Sequence, residues 1–197
     1  MITEVLITKQ ALKDLKRTPK HLQEKFRAWL IAINKIGLTE TRKSSGWHDE
    51  PLQGDRAGQR SIRLNKQWRA IYILKKDGTI EFIEVIEVTP HDTTKRSKAV
   101  DALVATQDIW ETMTFGGLIR SLRLSDEITQ VELAKKIGVS KQFLSDVEHN
   151  RKDIGISFAK KIADALGYSI EPLLELLIRD QLRSQHLNYI VELRKAC

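Results

Sequence analysis

Cysteine is nearly absent: of 197 residues only Cys197 is one, which excludes an intrachain disulfide or a thiolate metal cluster. The histidines (His21, His48, His91, His149 and His186) show no metal-ligand spacing. No metal and no cofactor are therefore expected. No run of residues approaches the ~20 apolar positions that a membrane span needs. The segment from Met1 to Val5 carries an acid and no basic stretch ahead of an apolar run, so no signal peptide is expected. These absences point to a reducing, cytoplasmic setting and no membrane partner.

What the chain has is charge and enough apolar residues for a core. It is 41% hydrophobic and 30% charged, and its length allows one domain or two. The net charge of +7 is unevenly placed. Residues 1–95 hold 18 Lys and Arg against 12 Asp and Glu, whereas residues 96–197 hold 15 against 14. The split suggests two modules, the first facing a polyanion.

Hydrophobic spacing gives the order of elements. Residues 3–7 read as a strand, and Lys9 to Lys16 as a helix. Thr18-Pro19 opens a second helix, with Leu22, Phe26, Trp29, Leu30 and Ile33 at helical spacing and Gly37 as its stop. Residues 39–58 look like loop. Strands follow at 60–65, at Trp68–Leu74 and at Thr79–Val88, with Asp77-Gly78 as a hairpin turn. The expected fold is α+β: two helices on a small antiparallel sheet over residues 1–95. Residues 96–114 read as linker or connecting helix. From Phe115 the chain reads as all-α, apart from an unassigned tail at 186–197 that could extend a helix or add a strand.

The helical half carries the more specific signal. Thr129 with Glu132 forms a capping-box pattern, Gly138 supplies a left-handed turn residue, and Ser140 caps a second short helix. Leu133, Ile137, Leu144 and Val147 fall on the buried sides. This stretch, to Asn150, resembles the Xre/lambdoid-repressor helix-turn-helix family over about residues 115–180. The resemblance implies that Gln130 touches phosphate and that Lys141, Gln142 and Asp146 meet base edges. Ser140, Asn150 and Arg151 would lie near the DNA backbone. Gln can bond adenine bidentately and Lys can reach guanine; Asp146 would either accept from cytosine or repel phosphate. Apolar Leu173, Leu174, Leu176, Leu177, Ile178 and Leu182 exceed one helix face, which suggests a homodimer through this half.

In the first half, Arg56, Arg60, Arg63, Lys66 and Arg69 occur without an acid among them, with Trp68 and Tyr72 interleaved. Cations that neutralise phosphates beside aromatics that stack on bases suit RNA. His48, Asp49, Glu50, His91 and Asp92 flank the patch as proton-transfer groups. The run from Glu50 to Arg69 and the Glu87-Val88-Thr89-Pro90-His91 ending resemble the HigB branch of the RelE/ParE toxins, over about residues 1–95. That resemblance implies a metal-independent cleavage of mRNA on the ribosome. Arg69 would clamp phosphate, His91 would act as acid or base, and Arg63 would support them; Glu50, where the family has a histidine, could still serve as the base and complete the catalytic set. Arg56, Arg60, Lys66, Gln67 and Trp68 would bind RNA. The sequence departs from the family at Glu50-Pro51, Gln53 and Thr89-Pro90.

Together the resemblances imply a toxin neutralised by a contacting, fused DNA-binding antitoxin that represses its own operator. Two alternatives stand beside it: a transcriptional regulator whose toxin-like domain is inactive, and a gyrase inhibitor of the ParE kind fused to its antitoxin.

Overall fold

The computed structural model describes residues 4–77, 80–89 and 99–193. Strand β1 (Val5–Thr8) leads directly into helix α1 (Lys9–Arg17). The Thr8 hydroxyl accepts from the Ala11 N–H and so satisfies one of the helix's open donors. Thr18 closes α1, and Pro19 precedes the long helix α2 (Lys20–Arg42). Gly37 breaks α2 with φ of 76°, and the chain regains helix as far as Arg42, beyond the expected stop.

Among the described residues the sheet has six strands, in the order β2-β3-β4-β5-β1-β6. They are β2 (Glu50–Pro51), β3 (Gln59–Arg63), β4 (Arg69–Asp77), β5 (Ile80–Thr89) and β6 (Ala99–Asp101), beside β1. One expectation is corrected here. The sheet is not wholly antiparallel, because β1 pairs β5 in parallel, Val5 opposite Ile83 and Ile7 opposite Val85. Gly78, Thr79 and the segment 90–98, which includes His91 and Asp92, lie outside the described residues.

The expected connecting segment is part of the fold. Strand β6 adds an edge antiparallel to β1, and helices α3 (Ala102–Ala105) and α4 (Gln107–Thr112) follow. The helical half then comprises α5 (Phe115–Ser125), α6 (Gln130–Lys136), α7 (Lys141–Glu148), α8 (Ile156–Leu166) and α9 (Glu171–Ser184).

Helix α2 is the centre of the molecule. Residues 24–33 are all buried, and a helix buried all round needs a partner on every face. On one side Trp29 meets Tyr72 of β4, with ring centroids 5.4 Å apart. On the other, α5 and α9 pack along it, so both halves share one hydrophobic core. This narrows the reason given for a dimer. Leu173, Leu176 and Leu177 of α9 are buried within the single chain against α2, α5 and α8, whereas Leu174, Ile178 and Leu182 stay half-buried.

Polar groups fix the register of that contact. The Lys25 ammonium, with no exposed surface, donates to Asp126 at 2.8 Å. Asp126 also accepts from the Tyr168 hydroxyl, at 2.8 and 2.9 Å. Ser121 donates to the buried Glu24. Arg27 donates to Thr106 and Gln107, at 2.8 and 3.1 Å. Lys35 pairs with Glu175 at 3.1 Å. The Gly46 N–H donates to the Gly167 carbonyl at 2.9 Å, and Trp47 meets the Tyr168 ring edge-on at 4.7 Å.

Candidate nucleic-acid interfaces

The local chemistry of the second half builds a short helix, a tight turn and a second short helix. Thr129 and Glu132 close the capping box in both directions. Gly138 takes φ of 65° at the turn, a conformation that favours glycine. The Ser140 hydroxyl accepts from the Phe143 N–H at 3.0 Å and starts α7. Leu133, Ala134, Ile137, Leu144 and Val147 are buried beneath. Gly116 of α5 lies so close to α7 that an added Cβ would stand 2.1 Å from the Val147 carbonyl oxygen.

A buried ion pair ties these helices together. Arg123 of α5 donates to both carboxylate oxygens of Glu148, at 2.6 and 2.9 Å, and to the Ile128 carbonyl at 2.8 Å. Gln130 donates to the same carboxylate at 2.8 Å. Its amide is thus held against the end of α7. Nothing in the sequence pattern marked Arg123, because its partner lies on another helix.

Lys141 and Gln142 are exposed on the first turn of α7. Asp146, one turn on, accepts from Gln142 at 3.0 Å and from Arg151 at 3.0 and 2.9 Å. Arg151 therefore offsets the charge that would oppose phosphate. Asn150 takes φ of 56°. Its side chain accepts from the Gly116 N–H at 3.2 Å and donates to Thr114 at 3.0 Å. It thus braces the loop after α7 against the start of α5.

The basic residues of the first half divide into bound and open ones. Asp49 is 1% exposed and takes Arg60 at 2.7 Å and the Tyr72 hydroxyl at 2.6 Å. Arg42 donates to the same hydroxyl at 3.0 Å. Burial first, then the Asp49 carboxylate, pushes the Tyr72 phenol well above its ordinary value. Tyr72 is fully buried, which corrects its reading as a base-stacking residue. Tyr72 shares the inward face of Ala70, as alternation along β4 requires, and the β3–β4 register is regular there.

Arg69 remains partly open. Its guanidinium is 38% exposed, donates to Ser61 at 3.3 Å and lies 3.6 Å from the Glu50 carboxylate, itself 53% exposed. Arg63 stands opposite Arg69 across the strands. Lys66 pairs with Glu127 of the second half. Asn65 accepts from the Gln67 and Trp68 N–H groups and holds their turn. Gln67 is exposed, Trp68 is half-buried against the core and Arg56 is half-buried in a single helical turn at Gly54–Arg56. His48 is exposed, with φ of 46°. Burial, then Arg63 and Lys25, hold its imidazole below the ordinary 6.5. The structure thus brings Glu50, Arg63 and Arg69 together. His91, expected beside them, is outside the described residues.

Comparison with known proteins bears on the second half. Residues 119–173 match the family model described as Helix-turn-helix. The chain is 34% identical, over 71 residues, to the immunity repressor protein of Bacillus phage phi105, an alignment covering 35% of this chain and 49% of that one. It therefore spans about half the length of the curated relative it matches. Among solved structures, it is similar to a YoeB/ParE toxin from Agrobacterium tumefaciens, at 25% identity and a TM-score of 0.37, covering 45% of this chain and 99% of that one. It is also similar to a hypothetical transcription factor, NHTF, from Neisseria, at 31% identity and a TM-score of 0.30, covering 36% and 79%. Residues 119–173 are thus similar to helix-turn-helix domains, with a phage repressor among the relatives. Among the described residues no helix is long and apolar enough to cross a membrane.

Proposed function

We propose that the protein is a transcriptional repressor that binds a two-fold operator as a dimer, and that it carries in the same chain an RNA-cleaving module of the HigB type kept idle by the helix-turn-helix half. The observation that carries the DNA reading is α7, which presents Lys141 and Gln142 to solvent while Arg151 offsets Asp146. Two such helices related by two-fold symmetry read half-sites about one helical turn apart.

Glu50, Arg63 and Arg69 support the RNA reading. In-line attack by a ribose 2′-oxygen on the adjacent phosphorus forms a 2′,3′-cyclic phosphate and expels the 5′-oxygen. Glu50 takes the 2′-OH proton, His91 supplies one to the leaving oxygen, and Arg69 and Arg63 hold the charge that develops on the phosphoryl oxygens. Helices α5 and α9 of the repressor half pack along α2 of the first half, so the restraining surface belongs to the same folded unit. The second reading, a silent docking module, is favoured by Asp49, Arg60 and Tyr72, whose polar groups are spent on one another.

The DNA reading is tested by footprinting the full chain on DNA upstream of its own gene. A protected site with two-fold symmetry, lost in Lys141→Ala/Gln142→Ala, is expected. Uniform, sequence-independent binding would contradict it.

A further inference from the structure

We propose that the Glu127 carboxylate occupies, at Lys66, the place that a phosphate of bound RNA would take, so that the second half restrains the first with an anion laid on its RNA-facing rim. The inference rests on the RNA reading above and names where the restraint acts.

Lys66 lies at the tip of the β3–β4 hairpin. Arg63 ends β3, Arg69 opens β4, and the two stand opposite each other. Lys66 is three residues from each, so its Cα is at most about 10 Å from either. Asn65 accepts from the Gln67 and Trp68 N–H groups, at 2.9 and 2.7 Å, and holds the turn. The Lys66 side chain is 72% exposed. A phosphodiester chain held by Arg63 and Arg69 would meet this ammonium next.

Glu127 meets it instead. Helix α5 closes with the Ile128 N–H on the Arg123 carbonyl at 3.0 Å and the Glu127 N–H on the Leu124 carbonyl at 3.1 Å. That paired closure normally places glycine at the left-handed residue, which here is Glu127 with φ of 57°. A side chain is disfavoured in this conformation, and its presence there points to a use for it. The Glu127 carboxylate pairs with Lys66, while the preceding Asp126 takes Lys25 at 2.8 Å. Two consecutive acids of the second half therefore meet cations of the first. The charge of Arg63 acts on both Lys25 and His48, and that of Asp126 acts on His48, so both acids lie against one cationic rim. A carboxylate accepts from an ammonium as a phosphate oxygen does.

The two acids differ in what they can release. Lys25 has no exposed surface, and Asp126 also holds the Tyr168 hydroxyl, so that pair is fixed in the core. Glu127 and Lys66 face water, where an ion pair is weak and gives way to a stronger anion. This contact therefore lowers the affinity of the rim for RNA without abolishing it.

The test is binding of a fluorescein-labelled single-stranded RNA oligonucleotide to the full chain at low salt, read by anisotropy. Glu127→Gly removes the carboxylate and supplies the residue that the turn favours. It should melt no lower than the wild type and bind the RNA roughly threefold to fivefold more tightly, the reach of an exposed ion pair. Glu127→Asn, also tolerated at positive φ, should do the same. With Lys66→Ala in place, either change should alter the affinity by less than about twofold. Arg69→Ala should weaken binding in every background. If Arg69→Ala weakens binding but neither Glu127 variant tightens it, or both tighten it equally without Lys66, the proposal is overturned and the RNA reading stands. If the chain binds no RNA, or binds it as well without Arg69, the RNA reading falls and takes the proposal with it.

Discussion

Single residues decide what α7 can read. Lys141 and Gln142 each have the reach for a base edge, and losing a good contact of that kind costs about 1–3 kcal/mol of discrimination. Competition binding should show Gln142→Ala relaxing preference at one base pair per half-site. Arg151→Ala should instead weaken binding to every sequence alike, because it leaves Asp146 facing phosphate without its partner. That partnership was not legible beforehand, since it depends on how the chain turns after α7. His48 offers a probe of the other face. Its titration is held low first by burial and then by Arg63 and Lys25. An NMR titration should find its midpoint below 6.5 and should find it raised in Arg63→Gln. An unmoved midpoint would remove Arg63 from its surroundings.

Elements governed by local chemistry were legible in the sequence. The capping box at Thr129, the turn at Gly138 and the cap at Ser140 fixed α6 and α7 before any contact was known. Strand pairings are non-local, and here the sequence spoke less clearly. The parallel match of β1 to β5 joins residues about 80 positions apart. Strand β6, only three residues long, carries too little alternation to be recognised. Tyr72 was misread because its neighbouring cations were weighed above strand alternation, which sets it on the inward face with Ala70. The crossing of α5 and α7 also rests on one residue. Gly116→Ala would drive a methyl group into the Val147 carbonyl. It should cost at least the 1–3 kcal/mol typical of overpacking, and abolish operator binding in a gel-shift assay at a temperature where the chain remains folded.

At the scale of the molecule, the two halves share α2 and should therefore melt together. Calorimetry should record one cooperative transition for the full chain. The buried pair makes this asymmetric. Asp126→Ala leaves the Lys25 ammonium without a carboxylate in a site with no exposure, and should cost about 3–5 kcal/mol. Lys25→Met should cost less, because Asp126 keeps the Tyr168 hydroxyl. Gly46→Ala should loosen the same contact, since its Cβ would fall 2.6 Å from the Tyr168 ring. The sequence suggested two modules, whereas the described residues pack around one core. It could not foretell that the first would cover the apolar face of α9, because neither surface has a local signature.

The restraint of the first half by the second is the claim on which the rest depends, and ribosome-dependent cleavage of mRNA tests it most directly. The intact chain should leave messages whole. The full chain with Tyr168→Ala, which loosens the contact without touching Glu50, Arg63 or Arg69, should cut them, and adding Arg69→Ala should stop the cutting. Messages left whole by the loosened, still-folded chain would contradict the claim and leave a repressor with a silent docking module.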